Sequence, residues 1–571
     1  MVRRSVLLAA LAMAACTKRG PKAQPASPPA AQGAVATQPD AAWPVLSTDF
    51  AAVIPADTPF VLSQDEPLPA HVVARLDPVL APLVSAFELG VGEAHAESSE
   101  EVRGGVEAVF GGPPTLAGLK EIGIDLNPRF VVYGLGLAPV LRIRLRDVDA
   151  FVRALSKAET VVGAKRDTKY FHGHAYFSSR TEDGSLRVVT IAGADLIVAL
   201  LPPGEIQRDL LPLVFGQRLP ERSLADTGGL AVMRKRHGLD RSASGYVDLQ
   251  VLVSTFVGRG SPLNLRIARA FGAVGSNPDP VCTDELLRLV GGTPRLVAGF
   301  EHAANEEIVF STTLEMTDPL ARRLATFPAA IPVATPPRGN ALASFGVGLD
   351  LGAVLSAARV FGDVVADEPF RCEDFTFLNG VASGVEMAVN IMPGAIFDVS
   401  GLAWSIHDLD PSDDNRVDGV VVVDVGDPPA VLAAAAATWP GFRPERLRRR
   451  RPVPLRKLFD ADAPDLGVLE PSWVGMGAHS IALSLGKSGK RAVSAAVDRR
   501  RPNDGTLMFG SMDFAEWIAR NPDRVERLLR LEGRLAKQAA DGMLALLSRL
   551  VLRLKATEQG LGLELDLQQP R

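Results

Sequence analysis

Two histidines separated by one residue could bind a metal ion. His172 and His174 lie in the run KYFHGHAYFSS, which has the apolar and polar composition of a β-strand. Side chains two residues apart on a strand point to the same face, and imidazole nitrogens are common zinc ligands. No third ligand can be identified from the sequence. An ordinary sheet surface rich in aromatic residues is therefore the alternative interpretation.

A second candidate metal site is the segment DLDPSDDNRVDG, residues 408–419, which is rich in oxygen donors. Asp408, Asp410 and Ser412 have the spacing of the first three ligands of a calcium-binding loop. The positions of the sharp-turn glycine and the closing glutamate carry other residue types. An expanded hairpin loop between two strands explains the segment equally well.

The main cluster of basic residues is ERLRRRRPVPLRK, residues 445–457, and a smaller one is MRKRHGLDR, residues 233–241. A run of charges usually forms a solvated face. The functional hypothesis is contact with lipid phosphates or another polyanion, because basic residues are attracted to an anionic surface. The four consecutive arginines of the main cluster are Arg448, Arg449, Arg450 and Arg451.

Motifs for several common hydrolytic chemistries do not occur. The sequence has no G-x-S-x-G element and no H-E-x-x-H element, so neither an α/β-hydrolase serine nor a zinc protease is supported. Gly486-Lys487-Ser488 resembles the end of a phosphate loop, but Ile481 stands where that loop needs its first glycine. We predict a strand that ends in a hairpin turn here. We expect no cofactor.

The chain has three cysteines. With Cys16 set apart in the N-terminal segment, Cys282 and Cys372 form an even pair, which in an oxidising compartment indicates one disulfide. Two separate buried thiols are the alternative. A catalytic thiol is a third interpretation, but neither cysteine has a neighbouring histidine or helix start in sequence that would lower its pKa.

The first residues have the organisation of a signal peptide. Arg3 and Arg4 form a positive region, and residues 6–12 form an apolar core far shorter than the roughly 20 residues of a membrane-spanning helix. The sequence Met13-Ala14-Ala15-Cys16 resembles the lipobox of bacterial lipoproteins, although that family usually has Leu where Met13 stands. The resemblance implies a signal peptide over 1–15, cleavage before Cys16, and lipid on its sulfur and new amino terminus.

Two other interpretations of this segment are an ordinary secretory signal and a cytosolic protein with an apolar start. Thr17 follows the cysteine where some bacteria place an aspartate to retain lipoproteins in the inner membrane. The resemblance therefore implies a lipid-anchored protein of the cell envelope, in the outer membrane and facing the periplasm.

Residues 16–42 are expected to form an acylated, disordered tether. Pro, Ala, Gln and Thr dominate this segment, and it has almost no large apolar side chain. Such a composition cannot bury enough apolar surface to offset the entropy lost on ordering.

The rest of the chain, residues 43–571, has enough apolar residues for about two to four globular domains. The mean hydropathy of the whole chain is +0.13, and the formal net charge is −5 over 571 residues. This mild charge argues against a general polyanion-binding surface. Together with the implied compartment, it argues against nucleic acid as a partner.

A recurring pattern suggests internal duplication. Three segments have a short strand-like run, then an aspartate, then apolar residues at helical spacing. Asp248, Asp350 and Asp513 are each predicted to cap a helix, because a carboxylate accepts the unpaired N–H groups of the first turn. We predict two related halves, 43–334 and 335–571. Cys282 and Cys372 occupy matching positions in this alignment.

The predicted fold class is α+β, with antiparallel sheets and helices packed on one face. Strand-like runs outnumber helical ones, and short turns between neighbouring strands favour antiparallel pairing. The longest predicted helix covers residues 522–554, which carry an amphipathic stripe of leucines and valines.

Three functions are compatible with these observations. The first is a non-catalytic, membrane-tethered protein that binds an envelope partner or acts as a scaffold. The second is a carrier of a lipid or another apolar ligand. The third is a hydrolase whose site is assembled from distant residues, because catalytic groups are neighbours in space and not in sequence. The segment VIPADTPFVL resembles uncharacterised bacterial envelope proteins, which implies no activity.

Overall fold

The computed structural model describes sixteen segments of the chain. They are residues 49–70, 72, 116–125, 129–162, 168–181, 183–274, 279–303, 307–334, 341–381, 383–384, 387, 398–409, 417–439, 441–460, 472–520 and 549–568. The predicted signal peptide, Cys16, the tether and Asp410 lie outside the described residues. The chain divides into two compact units, residues 1–276 and 277–571.

In the first unit, eight strands pair antiparallel in the order β8-β1-β2-β3-β7-β6-β5-β4. The strands are β1 (Phe60–Gln64), β2 (Phe130–Leu135), β3 (Ala138–Arg144), β4 (Thr168–Phe171), β5 (His174–Arg180), β6 (Leu186–Ala192), β7 (Asp195–Leu201) and β8 (Ser244–Asp248). The helices are α1 (Phe50–Val53), α2 (Leu116–Glu121), α3 (Val148–Val162), α4 (Ile206–Phe215), α5 (Leu224–Thr227), α6 (Gly229–His237), α7 (Leu249–Phe256) and α8 (Pro262–Ala270).

In the second unit, eleven strands pair antiparallel in the order β9-β10-β19-β18-β17-β11-β12-β13-β16-β15-β14. The strands are β9 (Arg295–Ala303), β10 (Glu307–Glu315), β11 (Ala343–Gly348), β12 (Val399–Leu409), β13 (Val417–Val425), β14 (Val453–Pro454), β15 (Trp473–Met476), β16 (Ser480–Leu485), β17 (Thr506–Asp513), β18 (Arg549–Thr557) and β19 (Gly560–Gln568). The α-helices are α9 (Pro280–Gly292), α10 (Asp318–Leu324), α11 (Leu351–Asp367), α12 (Pro428–Thr438), α13 (Gly489–Ala496) and α14 (Phe514–Arg520). The 3-10 helices are Glu373–Leu378, Pro444–Arg446, Leu455–Leu458 and Gly486–Ser488.

The predicted aspartate caps are confirmed at all three helices. The Asp248 carboxylate accepts a hydrogen bond from the backbone N–H of Val251 at 2.8 Å, and Asp350 and Asp513 accept equivalent bonds at 2.9 and 3.0 Å. Each aspartate follows a strand and satisfies an N–H group that the helix itself leaves unpaired. The caps therefore set where α7, α11 and α14 begin.

Helices cover both faces of the sheet in the first unit, so the prediction of helices on one face is wrong. Leu141 and Ile143 of β3 pack with Phe151 of α3 in one apolar cluster. The intervening residue, Arg142, points to the opposite face because side chains alternate along a strand. There its guanidinium donates to the backbone carbonyl of Val214 in α4 at 2.6 Å.

The second unit shows the same arrangement at β16. Ala482 packs with Val493 of α13, whereas Ile481 and Leu483 pack with Leu432 of α12. Because these neighbours alternate between faces, α13 and α12 lie on opposite sides of the strand. Burial on both faces explains why β16 carries apolar residues at successive positions.

The predicted duplicated α+β chain is also wrong. The described strands pair antiparallel within each unit, in a sheet-rich fold that is not clearly duplicated. Cys282 lies in the first turn of α9, whereas Cys372 precedes a 3-10 helix, so the aligned cysteines occupy different local structures. The recurring aspartates have a local cause, because aspartate is favoured wherever a strand leads into a helix.

The predicted helix over 522–554 is wrong at its end. Residues 549–554 belong to β18, which pairs with β17 and β19, and residues 521–548 lie outside the described part of the chain. Leucines at Leu550, Leu552 and Leu554 alternate with other residues, so this short stretch also has a strand period. Among the described helices, none is long and apolar enough to cross a membrane.

Cys282 and Cys372 lie at disulfide distance, with their sulfurs 2.08 Å apart, as predicted. A carboxylate also joins the segments that carry the two cysteines. Glu285, on the helix that carries Cys282, accepts hydrogen bonds from the backbone N–H groups of Arg371 and Cys372 at 2.7 and 3.0 Å. The two interactions tie α9 to the chain 90 residues further on.

We expect loss of this bridge to destabilise the second unit. In the chain-entropy model, a closed loop of this length contributes about 4 kcal/mol, and measured values are often smaller. Denaturant unfolding followed by tryptophan fluorescence is a suitable measurement, because Trp404, Trp439, Trp473 and Trp517 all belong to this unit.

The wild type with reductant and the Cys282→Ser/Cys372→Ser variant should unfold at the same, lower denaturant concentration than the oxidised wild type. Reductant should have no further effect on the variant. An oxidised wild type that unfolds together with its reduced form would contradict the bridge. Glu285→Gln serves as a control, because it weakens the same junction and should leave the response to reductant in place.

Candidate functional site

The structure does not place the two candidate metal-binding histidines on one strand face. His172 and Gly173 form the two-residue turn between β4 and β5, with φ values of 46° and 77°. His174 is the first residue of β5 and pairs with Phe171. Positive φ at both turn positions is typical of the tight turns that join antiparallel strands. The prediction of a common face is wrong because the turn begins at the first histidine.

His174 has a structural hydrogen bond. Its Nε2 lies 2.8 Å from the hydroxyl of Thr190, and that hydroxyl donates its own proton to the carbonyl of Ala175. The hydroxyl oxygen must therefore accept from Nε2–H, so this nitrogen is not available to a metal. The ring also packs against Phe215, with centroids 4.8 Å apart. Within the described residues, no three His, Cys, Asp or Glu side chains are arranged to hold a metal ion.

The candidate calcium segment connects β12 to β13, which pair antiparallel as the hairpin interpretation predicts. Asp408 is exposed near the end of β12 and lies opposite Asp418 of β13. Asp410 and the rest of the loop lie outside the described residues. Calcium binding by this loop stays a prediction.

Residues 448–451 form a tight turn that we call the arginine turn. The backbone N–H of Arg451 donates to the carbonyl of Arg448 at 3.0 Å, and the N–H of Arg450 donates to the carbonyl of Met476 at 2.8 Å. All four side chains are exposed. The backbone of the turn is thus fixed against the end of β15 while its guanidinium groups extend into solvent.

Asp498 supports the arginine turn from the other side. Its carboxylate lies 3.7 Å from Nε of Arg450 and accepts hydrogen bonds from the N–H groups of Ala478 and His479 at 2.8 and 3.2 Å. The residue adopts a φ of 62°, which is uncommon for a residue other than glycine. These contacts hold it in that conformation next to a second basic run, Arg499 to Arg501.

Few carboxylates offset the charge of the arginine turn. Asp460 pairs with Arg443 and Arg446 at 2.6 and 2.9 Å, so those two neighbouring guanidinium groups are already neutralised. Among the residues that the structure describes, no carboxylate lies within 4 Å of Arg448, Arg449 or Arg451. Within the described part of the chain, the guanidinium groups of Arg448, Arg449 and Arg451 thus have no carboxylate partner and extend from a fixed backbone, as the donors of an anion-binding surface do.

A second candidate site lies where the sequence predicted a hairpin turn. That prediction is wrong: β16 passes through a short 3-10 turn, Gly486–Ser488, directly into α13. Gly486 has a φ of 66°, and a Cβ added to it would lie 2.8 Å from the carbonyl oxygen of Val417. Gly489 follows with a φ of 60°. Only glycines allow this sharp change of direction, and the turn carries Ser488 between them.

His407 of β12 lies beside this turn and contacts two hydroxyl groups. Its Nδ1 is 2.8 Å from Oγ of Ser488, and its Nε2 is 2.9 Å from Oγ of Ser405. The carboxylate of Asp418 accepts the backbone N–H of Ser488 at 2.6 Å. Burial lowers the pKa of His407, and the negative charge of Asp418 raises it in opposition.

The two serines differ in access to solvent. Ser405 is buried, with 2% of its surface exposed, whereas Ser488 and His407 are both partly exposed. A neutral imidazole in contact with an accessible hydroxyl can take up the hydroxyl proton and so activate the oxygen. Sequence analysis missed this cluster, because Ser488 lies 81 residues from His407 and no local motif joins them.

Comparisons with known proteins add no assignment to these sites. No protein-family model, no curated protein and no solved structure matches the chain.

We expect His174 and His407 to titrate below the ordinary histidine pKa of 6.5, because burial disfavours the charged ring at both positions. Their contribution to stability should be present above pH 6.5 and lost as the pH falls through the pKa of the folded state, since the unfolded chain then binds more protons. Carbon-13 spectra of histidine-labelled protein would measure both values.

His174→Asn and His407→Asn variants would assign the two resonances. Each substitution should also reduce the loss of stability between pH 7.5 and pH 5.5. A resonance that titrates above 6.5 would show that the charged form of that ring is stabilised in the folded protein, contrary to this expectation.

Proposed function

We propose that the protein is a lipid-anchored binding or scaffold protein of the bacterial envelope, and that its body contacts phosphate-bearing surfaces through the arginine turn. The fixed backbone and exposed guanidinium groups of residues 448–451 are the observation that carries this proposal. The signal-peptide architecture and the lipobox-like residues before Cys16 support the anchor.

The tether is long enough to let the body approach the membrane. Residues 17–42 number 26, which in polyproline II conformation span on the order of 80 Å. A single acyl chain holds a protein to a membrane only reversibly, and a second signal strengthens the attachment. Additional contact by a basic surface would hold the tethered body close to an anionic membrane.

The arginine turn is better suited to bind phosphate than a surface with the same charge spread over scattered residues. A guanidinium group presents several N–H donors in one plane and can bind two phosphate oxygens at once. Each basic residue near an anionic membrane contributes about 1 kcal/mol to binding. Because one hydrogen bond to Met476 and one within the turn fix the backbone, the arginines lose mainly side-chain freedom when they bind.

The carrier and hydrolase interpretations of the sequence remain alternatives to this binding function. A carrier would retain an apolar ligand through purification, which native mass spectrometry would detect. The hydrolase interpretation gains one specific observation, the contact between Ser488 and His407.

The anchor is tested at Cys16. In cells fed an alkyne analogue of palmitate, the wild-type chain should become labelled and appear in the membrane fraction. Cys16→Ser should abolish the label, whereas Thr17→Ser should keep it. A labelled Cys16→Ser variant, or a wild type that is unlabelled in the soluble fraction, would contradict lipidation at this residue.

The docking surface is tested with the unacylated chain from Thr17 to Arg571 and vesicles of phosphatidylglycerol and phosphatidylcholine. Arg448→Gln/Arg449→Gln should weaken binding roughly 30-fold if each residue contributes about 1 kcal/mol. Binding should also fall with salt, because salt screens these charges. Vesicles of phosphatidylcholine alone should bind neither protein.

Lys235→Gln/Arg236→Gln provides the matched control, because it removes two charges from the exposed face of α6 in the first unit. We expect it to bind anionic vesicles nearly as well as the wild type. An equal loss in both double variants would show that net charge governs the binding. Such a result would contradict a specific role of the arginine turn.

A further inference from the structure

Three side chains in hydrogen-bond contact form the arrangement of a catalytic serine site: Ser405, His407 and Ser488. We propose that Ser488 is a nucleophile for carboxylic ester hydrolysis, with His407 as its general base and Ser405 as the residue that positions the imidazole. This inference goes beyond the binding function and does not depend on the anchor or on the arginine turn.

The local backbone leaves Ser488 accessible to solvent, which a nucleophile requires. The residue lies in a sharp connection between a strand and a helix, flanked by Gly486 and Gly489 with φ values of 66° and 60°. The α/β-hydrolases present their nucleophilic serine on a sharp strand-to-helix turn, and Ser488 likewise lies where β16 leads into α13, with helical φ and ψ of −56° and −36°. Asp418 fixes the turn by accepting the N–H of Ser488.

Exposure decides which of the two serines can react. Ser405 is almost completely buried, so its hydroxyl reaches His407 and no substrate. Ser488 is partly exposed, so its hydroxyl can contact both His407 and a bound ester. The two hydroxyls occupy opposite nitrogens of the same ring, as the nucleophile and the orienting group do in a catalytic triad.

The proton arrangement follows from the chemistry of a neutral imidazole, which has one N–H and one lone pair. When Nε2–H donates to Ser405, the Nδ1 lone pair is free to accept the proton of Ser488. Burial lowers the pKa of His407 and favours this neutral form near pH 7. The ring is therefore a base in its resting state.

The N-terminus of α13 begins at the residue after Ser488. The first N–H groups of a helix have no partner within the helix, and the end of the helix carries a partial positive charge. Such groups stabilise the negative oxygen of a tetrahedral intermediate when it forms close to them. An ester carbonyl attacked by Ser488 would place its oxygen near this end.

The reaction balances with water as the only co-reactant. Oγ of Ser488 forms a bond to the carbonyl carbon while its proton moves to Nδ1 of His407. The imidazolium then gives that proton to the alcohol oxygen as the ester C–O bond breaks. Water attacks the acyl-serine, loses a proton to Nδ1, and releases the carboxylic acid as the proton returns to Ser488.

The residue that orients His407 restricts the substrate class. In a triad with a buried aspartate, the carboxylate stabilises the imidazolium that forms during the reaction. Here a neutral hydroxyl takes that position, and the nearby negative charge of Asp418 acts on the ring from a distance. Weaker stabilisation of the imidazolium favours esters, whose alcohol leaves more readily than an amine, over amides.

A fluorophosphonate probe tests the nucleophile directly on the folded wild-type chain from Thr17 to Arg571. We expect one covalent adduct, located by peptide mass spectrometry on Ser488. We also expect p-nitrophenyl butyrate hydrolysis that the probe abolishes. This measurement needs no variant, so poor folding of a mutant cannot obscure it. A wild type without an adduct on Ser488 would overturn the proposal.

Variants then separate the roles. Ser488→Ala should lose the adduct and the esterase activity, whereas Ser494→Ala on the same helix should retain both. Ser405→Ala should lower kcat about tenfold or more, with little change in KM and a displaced acidic limb of the pH–rate profile, and Ser405→Thr should restore activity. Full activity in Ser488→Ala, or an unchanged pH profile in Ser405→Ala, would contradict the assigned roles.

Discussion

The register of one central strand, β13, determines where both candidate sites form. This strand pairs with β12 on one side and with β16 on the other. Gly419 of β13 lies opposite Ile406 of β12 and Leu485 of β16. The end of β16 is therefore level with the residue that precedes His407, with β13 between them, and the turn that follows β16 brings Ser488 to the imidazole.

Gly419 permits this close approach, because a Cβ at that position would collide with the backbone carbonyl of Ser405. A shift of β13 by one residue would also move Asp418 to the other face. Its carboxylate could then no longer accept the N–H of Ser488. Backbone pairing between strands distant in sequence is thus the condition for the serine and histidine contact.

Helix caps follow from local signals in the sequence, whereas strand partners and the layers above a sheet do not. Asp248, Asp350 and Asp513 cap their helices because capping depends only on the next few residues. The hairpin of β12 and β13 was predictable for a similar reason. By contrast, the partner of a strand and the element that covers its second face depend on residues far along the chain. The prediction of helices on one face failed for this reason.

Two glycine-containing turns differ from the prediction, although the residues around them indicate their structure. His172-Gly173 between two strand-like runs is a two-residue loop that ends in glycine, which is typical of a tight hairpin. Gly486 to Gly489 resembles such a loop but leads from β16 into α13. The residues after it, however, include Ala492, Val493 and Ala496, which have the three-to-four-residue spacing of a helix. The residue spacing that follows each glycine therefore distinguishes a hairpin turn from a strand-to-helix turn.

The opposite end of β13 supports the basic surface. Asp424 is buried, with 1% of its surface exposed, and forms an ion pair with Nε of Arg500 at 2.5 Å. Burial raises the pKa of Asp424, and the charge of Arg500 opposes this rise. The pair attaches the second basic run to the sheet two residues after Asp498, which contacts the arginine turn.

The two candidate sites therefore lie near opposite ends of one strand. Asp418 and Asp424 are six residues apart in β13, which corresponds to roughly 20 Å. Substitutions separated by more than about 10 Å, with no shared partner, usually act independently. Loss of vesicle binding and loss of esterase activity should consequently be separable by mutation, and a variant that lost both would indicate damage to β13 itself.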